Sequence, residues 1–222
     1  MANLGPGRPR LEQRRRQGTT PRAEILDAAA ELFTTKGYAN TSTRAVADAV
    51  GIRQASLYHH FAAKDDILDA LLAETVAGPV ELAQRMLGEP EPAATKLYAL
   101  ALFDVRQLRS ARWNLGALYL LPELRTERFV VFRRHRDELR GHYERLTAES
   151  CAAAGQSDEV RILPFRLVET VIAIRSDEGA AAVETERVIP DAIMRIVGHR
   201  GDVGAAADAL LARLGEIDID PA

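Results

Sequence analysis

Apolar residues recur at intervals of three and four along nearly the whole chain, a spacing that predicts α-helices rather than strands. The first predicted helix is short and runs from an N-cap at Thr20 to a closing glycine at Gly37. The second runs from an N-cap at Thr43 to Gly51, where the turn needs a positive φ that glycine adopts cheaply, and the third spans about 54–60. Helices this short are marginal alone, so we expect their apolar residues to pack together. The residues expected in this small core are Leu32, Phe33, Val46, Val50, Leu57 and Phe61.

Longer helical patterns fill the remaining two-thirds of the chain, with breaks at segments rich in glycine, proline and acidic residues. The predicted ranges are 64–86, 93–109, 112–121, 125–153, 158–177, 186–198 and 203–215. Two short helices around a glycine-centred turn form the helix-turn-helix pattern. The sequence therefore predicts an all-α protein, with a three-helix helix-turn-helix domain at 20–66 and a second helical domain at 67–222.

The N-terminal segment 1–19 differs from the rest in composition. Residues 1–22 contain six arginines and one glutamate, a charge of +5, so the remainder sums to −8 within a net charge of −3. Glycine, proline and glutamine accompany the arginines, and apolar residues are too few to build a core, so we expect a flexible basic arm. Such an arm either binds DNA phosphates or the minor groove, or serves only as a solubilising tail.

Composition limits the other classes of function. A single cysteine, Cys151, excludes an internal disulfide framework and suits a reducing cytosol. No apolar run approaches the roughly 18 residues that a membrane helix needs, so we expect a cytoplasmic protein without membrane contact. The sequence contains no glycine-rich phosphate loop, Cys–His cluster or nucleophile elbow, and the adjacent His59 and His60 make a poor metal pair. We therefore expect no catalytic residue, no metal and no cofactor.

Three segments within residues 21–72 carry a specific resemblance: "AAAELFTTKGY", "TSTRAVADAVGI" and "ASLYHHFAAKDDIL". Together they resemble the DNA-binding domain of the TetR family of one-component bacterial repressors. The resemblance implies that the start of the second helix, the third helix and the start of the fourth contact double-stranded DNA. For His60 we expect a packed structural histidine. Glutamine at the start of the third helix can also bond an adenine edge or a neighbouring base. The implied DNA-binding residues are Thr43, Arg44, Arg53, Gln54, Ala55, Ser56, Tyr58, His59 and Lys64.

In the family, the C-terminal helices form a ligand pocket and a dimer interface. Three charged residues here, Asp104, Arg136 and Glu169, fall on apolar stripes where burial is expensive unless they are paired. They either pair with each other or flank the dimer interface, or they orient a polar group of a ligand among aromatic side chains. The basic run around 132–145 is expected to be a solvated helix face. The candidate ligand-binding residues are Asp104, Trp113, Tyr119, Phe129, Phe132, Arg136, Tyr143, Phe165 and Glu169.

One short recognition helix contacts too few base pairs for useful specificity, whereas two copies related by a twofold axis recognise a palindrome. We expect a homodimer through helices near 158–177 and 186–198, which are apolar on more than one face. The sequence thus predicts a dimeric transcriptional regulator, most simply a repressor released from a palindromic operator by a small molecule. Two alternatives are a ligand-independent DNA-binding protein of the same fold and an all-helical enzyme.

Overall fold

Helices account for all regular secondary structure in the computed structural model, which describes residues 20–215. This confirms the predicted all-α class. The predicted basic arm, 1–19, and the segment 216–222 lie outside the described residues. Between residues 20 and 215 the α-helices are α1 Pro21–Thr35, α2 Thr43–Val50, α3 Gln54–Tyr58, α4 Lys64–Arg85, α5 Ala93–Ser110, α6 Val130–Ala153, α7 Leu163–Glu178, α8 Thr185–Ile196 and α9 Gly204–Leu214. Short 3₁₀ helices lie at Met86–Gly88, Leu115–Leu120, Pro122–Arg125, Glu127–Phe129 and Asp158–Val160.

The described chain divides into two compact units, 20–67 and 68–215. In the first unit, α1 starts as predicted, because the Thr20 hydroxyl accepts a hydrogen bond from the Ala23 N–H at 3.2 Å and Pro21 occupies the first helical position. α1 packs on α2, and α2 packs on α3. All residues predicted for this small core are buried: Leu32, Phe33, Val46, Val50, Leu57 and Phe61.

Three local predictions in this unit need correction. Ser42, not Thr43, is the N-cap of α2, because its hydroxyl accepts from the Ala45 N–H at 3.1 Å. Thr43 is the first residue of the helix, so its hydroxyl is not used for capping. α3 ends at Tyr58 rather than at residue 60, and His60 is exposed rather than packed.

The turn between α2 and α3 depends on Gly51, which has φ 78° and ψ 33°, as predicted. We expect Gly51→Ala to destabilise the protein by about 1–2 kcal/mol, because a left-handed conformation is costly for any residue with a Cβ. Steric contact is not the cause, since an added Cβ meets nothing within 4 Å. Gly141→Ala is the matched control. It lies inside α6 with equally open surroundings, and it should stabilise by about 0.5–1 kcal/mol. Denaturant unfolding of both variants checks the opposite signs.

In the second unit, α5 lies at the centre and packs against α6, α7, α8 and α9. Its apolar residues are fully buried, for example Leu97, Leu100 and Val105. α8 is also tied to α5 by ion pairs, in which Glu186 contacts Arg106 at 3.0 Å and Arg109 at 2.6 Å. The position of α8 is therefore fixed by both packing and charge.

Helix boundaries in the middle of the chain differ from the prediction. The predicted helix 112–121 is a 3₁₀ helix at Leu115–Leu120, and α6 begins at Val130 rather than at 125. The physical reason is a tertiary contact: a Cβ on Gly116 would lie 2.5 Å from the Cδ1 of Ile172, and Asn114 donates to the Ile172 carbonyl at 2.9 Å. This close docking on α7 overrides the local helical preference.

Two proline-containing helices also differ from the predicted ranges. α7 starts at Leu163 rather than at 158, with Pro164 in its first turn. Pro190 lies inside α8, where its ring removes one backbone hydrogen bond.

Candidate nucleic-acid interface and ligand pocket

The outer face of α2 and α3 is polar and accessible. Leu57 is the buried residue of α3 and anchors the helix, so the residues around it face outward. Tyr58 is 47% exposed although it is aromatic. A short helix held by one side chain thus presents nearly all its other residues to a partner. The exposed residues among those predicted to contact DNA are Arg44, Arg53, Gln54, Ala55, Ser56, Tyr58 and His59.

Three of the side chains predicted to bind DNA also contact each other. The Gln54 amide nitrogen lies 3.0 Å from the Thr43 hydroxyl and 3.3 Å from the Tyr58 hydroxyl. The two hydroxyls are 3.1 Å apart. We call Thr43, Gln54 and Tyr58 the polar triangle. It joins the first residue of α2 to both ends of α3.

Two of the predicted cationic contacts, Arg44 and Lys64, differ in their surroundings. The Arg44 side chain is 80% exposed and lies 3.9 Å from Asp48, a surface pair of little energetic value. The Lys64 ammonium donates to the carbonyls of Tyr38 at 2.9 Å and Thr41 at 3.1 Å, and lies over the Tyr38 ring. Two of its three N–H groups therefore hold the α1–α2 connection. Its contact with a phosphate remains a prediction for the third N–H group.

In the second unit, the three charges predicted on apolar stripes lie in one cluster. The Arg136 guanidinium donates to the Glu169 carboxylate, and Arg166 contacts the same carboxylate at 2.8 Å. The Tyr143 hydroxyl donates to Asp104 at 3.1 Å. Arg136 and Glu169 thus pair with each other, which was one of the two interpretations. The Nε of Arg136 is buried and has no hydrogen-bond partner among the described residues.

A small cavity adjoins this cluster and has a volume of about 10 Å³, which is room for about one water. Its lining residues are Thr75, Val76, Asp104, Leu108, Tyr119, Arg136, Leu139, Phe165 and Glu169. Tyr119 and Arg136 also line an open cleft of about 230 Å³. The cleft residues are Tyr119, Leu120, Leu121, Leu124, Arg125, Phe132, Arg133, Arg136 and Asp137.

Not all predicted ligand-binding residues reach these spaces. Phe129 and Tyr143 are fully buried and line neither the cavity nor the cleft. Trp113 also lies outside both, with the Arg112 guanidinium over its ring at 4.9 Å. The prediction missed Thr75, whose hydroxyl accepts a hydrogen bond from the Tyr119 hydroxyl at 2.7 Å. A threonine inside a long amphipathic helix gives no sequence signal for such a role.

Two findings concern other functions. Within residues 20–215, no group of three or more His, Cys, Asp or Glu side chains is placed to hold a metal ion. No helix in the same part of the chain is long and apolar enough to cross a membrane.

Comparison with known proteins identifies the family. The protein-family model described as "Bacterial regulatory proteins, tetR family" matches residues 25–71, the segment that includes the polar triangle. The crystal structure of AmtR from Mycobacterium smegmatis is 59% identical in sequence, with a TM-score of 0.86 over 91% of this chain and 98% of that one. The chain belongs to the TetR family.

Other TetR-family relatives are similar over less of their sequence. The HTH-type transcriptional repressor KstR2 of Mycobacterium tuberculosis is 45% identical over 56 residues, which cover 25% of this chain and 28% of that protein. This chain thus matches under a third of the length of that curated relative. The solved structure of KstR2 has a TM-score of 0.67 over 82% of this chain and 95% of that one, at 19% identity, and shows the fold alone.

Asp104 should make the stability of this TetR-family chain depend on pH. Burial raises the pKa of its carboxyl from 3.8 to about 7; the nearby charge of Glu169 also raises it, and the hydrogen bond from Tyr143 opposes the shift. Between about pH 4 and 7 the unfolded chain ionises this group while the folded chain keeps it protonated. Stability should therefore fall as pH rises through this range and level off above it.

We expect Asp104→Asn to remove this dependence and to be the more stable protein above pH 7. Each pKa unit corresponds to about 1.4 kcal/mol, so the difference at pH 8 should reach a few kcal/mol. Denaturant unfolding of both proteins between pH 4.5 and 8 measures it, with the exposed Asp137→Asn as control. Parallel curves for wild type and Asp104→Asn would contradict the prediction.

Proposed function

We propose that the protein is a cytoplasmic, dimeric, sequence-specific DNA-binding transcriptional regulator that represses from a palindromic operator. The observation that carries the proposal is the accessible polar face of α2 and α3, supported on a buried apolar core. Residues 20–66 act as the DNA-binding domain, and residues 67–222 as the ligand-binding and dimerisation domain. The basic arm, 1–19, adds contacts to phosphates or the minor groove.

Each predicted DNA contact has a stated role in this proposal. Thr43 and Arg44 meet phosphate or base at the start of α2, and Arg53 does so from the turn. α3 lies in the major groove, and Gln54 at its first position contacts a base edge. Further roles follow position: Ala55 and Ser56 face bases, Tyr58 and His59 reach phosphates, and Lys64 contacts a phosphate with its remaining N–H.

Selection from a random duplex library tests DNA binding directly. The full chain should enrich a palindrome whose half-site centres lie about 34 Å apart. Fluorescence anisotropy on that duplex should show an affinity that falls steeply with salt. If no palindromic sequence is enriched at moderate salt, the proposal fails and the all-helical enzyme becomes the better hypothesis. The comparisons give no support to that enzyme, because the KstR2 relatives are named transcriptional repressors.

The proposed dimer interface is supported by apolar side chains left uncovered on α7 and α8. Leu163 and Val188 are exposed, although both belong to helices that pack on the core. Leu167 and Ile174 are half-buried and continue the line of Leu163 along α7. A second copy on a twofold axis would cover this strip, as a four-helix contact does in isologous dimers.

We propose further that a small-molecule effector enters through the open cleft next to Tyr119. Arg125 and Arg133 line the cleft together with Arg136, which is already paired with Glu169, and Asp137 is the single acid in its lining. An organic acid is therefore the best-matched class. α4 begins at Lys64 and includes Thr75, which lines the cavity. An effector that favours one position of α4 would therefore shift the population of DNA-binding dimers.

A thermal-shift panel tests the effector. Small hydrophobic carboxylic acids should raise the melting temperature, while the amides of the same acids should not. Operator affinity, measured with each stabilising compound, should fall. Equal shifts from acids and amides would contradict the anionic class.

The ligand-independent alternative has one observation in its favour, because the small cavity beside Asp104 has room for about one water and for no organic molecule. It predicts that operator affinity stays the same with every compound that binds the C-terminal domain. The same titrations therefore separate the two functions.

A further inference from the structure

The polar triangle of Thr43, Gln54 and Tyr58 limits what Gln54 can offer to DNA. We propose that Thr43 and Tyr58 hold the Gln54 amide group so that only its carbonyl oxygen, Oε1, is available. Gln54 then recognises an exocyclic amino group of a base, adenine N6 or cytosine N4. This inference rests on the proposed function, because it concerns how the same surface reads an operator.

The number of hydrogens favours one orientation of the amide. The triangle has three contacts, of 3.0, 3.3 and 3.1 Å, and each hydrogen bond needs one hydrogen. With Nε2 turned inward, two amide and two hydroxyl hydrogens serve the three contacts. With Oε1 turned inward, only the two hydroxyl hydrogens remain, and one contact would bring two oxygens together without a hydrogen. Only the first orientation makes all three contacts hydrogen bonds.

This orientation leaves two groups free at the surface. Oε1 of Gln54 has no hydrogen-bond partner within residues 20–215, and the whole side chain is exposed. One of the four hydrogens is also unused, on whichever hydroxyl of Thr43 or Tyr58 accepts from the other. That hydrogen can still be donated to a phosphate. The triangle thus leaves one of these two residues able to donate to a phosphate.

The chemical consequence is a change in how glutamine reads a base. Glutamine commonly contacts adenine through two bonds, accepting from N6 and donating to N7. Here the donor is already committed to Thr43 and Tyr58, so N7 contributes nothing. An acceptor alone distinguishes adenine from guanine, because N6 donates where the guanine O6 accepts. It distinguishes cytosine from thymine in the same way, through N4 and O4.

Base analogues in the selected operator test this inference. At the position read by Gln54, removing the exocyclic amino group (purine for adenine, or 2-pyrimidinone for cytosine) should lower wild-type affinity roughly 3- to 10-fold per half-site. If the base is an adenine, its 7-deaza analogue should bind as tightly as the parent duplex. Gln54→Ala should bind the parent and the analogue lacking the amino group equally. Anisotropy titrations measure all of these affinities.

Tyr58→Phe and Thr43→Val test the positioning role, and Thr43→Ser is the conservative control that keeps the hydroxyl. Removing either hydroxyl should free the amide group to rotate. Deletion of the exocyclic amino group should then lower affinity by a smaller factor than in wild type. At an adenine, 7-deaza substitution should lower the affinity of these variants although it leaves that of wild type unchanged. A role in phosphate contact alone would lower affinity equally on every duplex, which would contradict positioning. Unchanged melting temperatures would show that the variants fold.

The outcomes separate this inference from the function on which it rests. Failure to bind any selected duplex would overturn both. Operator binding with equal affinity for parent and amino-deleted duplexes at every position would overturn the inference alone. A penalty at the Gln54 position for deleting O6 or O4 instead would mean that the amide nitrogen faces DNA, and it would overturn the inference as well.

Discussion

Replacing Arg44 with alanine should lower operator affinity roughly 100-fold or more while leaving the fold and the dimer unchanged. The side chain is 80% exposed and its pair with Asp48 is a weak surface contact, so the folded protein loses almost nothing. A dimer loses the contact twice, and each lost contact to a base or phosphate costs about 1–3 kcal/mol. If Arg44 binds phosphate, the slope of log affinity against log salt should also fall by about two.

Anisotropy on the selected operator, repeated at several salt concentrations, measures this loss. Arg134→Ala is the matched control, because it removes an equally charged, exposed side chain from α6, on the basic run interpreted as a solvated face. Its operator affinity should stay within about twofold of wild type. A lower melting temperature for Arg44→Ala would instead assign the residue a structural role.

Val188→Glu should convert the proposed dimer into a single chain of 24.3 kDa. Val188 is 58% exposed on α8, so the charge costs the isolated protomer little. In a twofold dimer the two glutamates would lie in the apolar interface without partners, which is expensive. Light scattering after size exclusion measures the mass, and operator affinity should fall towards that of one half-site.

Val131→Glu controls for the chemistry of this substitution. Val131 is 52% exposed, lies on α6, and is not part of the proposed interface. This variant should remain a dimer and bind the operator normally. If Val188→Glu also remains dimeric at micromolar concentration, the proposed interface on α7 and α8 is wrong.

Much of the first unit could be predicted because local chemistry decides it. Gly51 adopts the positive φ that the turn requires, and Leu57 is buried because it is the one apolar residue facing the core from a very short helix. The N-cap was misplaced by one residue because Ser42 and Thr43 are both good caps, and local sequence hardly distinguishes them. The contacts within the polar triangle depend on two helices meeting, which no local pattern encodes.

The second unit shows where sequence patterns stop being informative. Pairing was one of the alternatives for the charges on apolar stripes, and Arg136 and Glu169 do pair, because a buried charge without a partner is costly. The helical prediction for 112–121 failed because Gly116 packs directly against Ile172, a contact 56 residues away along the chain. The size of the cavity could not be predicted from the sequence either, because it depends on how side chains from several helices fill one space.

The docking of Leu115–Leu120 on α7 has a consequence for communication between protomers. α7 bears Phe165 and Glu169 on the side of the cavity, and its uncovered apolar strip begins at Leu163. Asn114 and Gly116 fasten one wall of the cleft to this same helix. In a dimer built on that strip, α7 would contact both the cleft of its own subunit and the partner subunit. We therefore expect occupancy of one cleft to change the affinity of the other, so that the two subunits bind effector cooperatively.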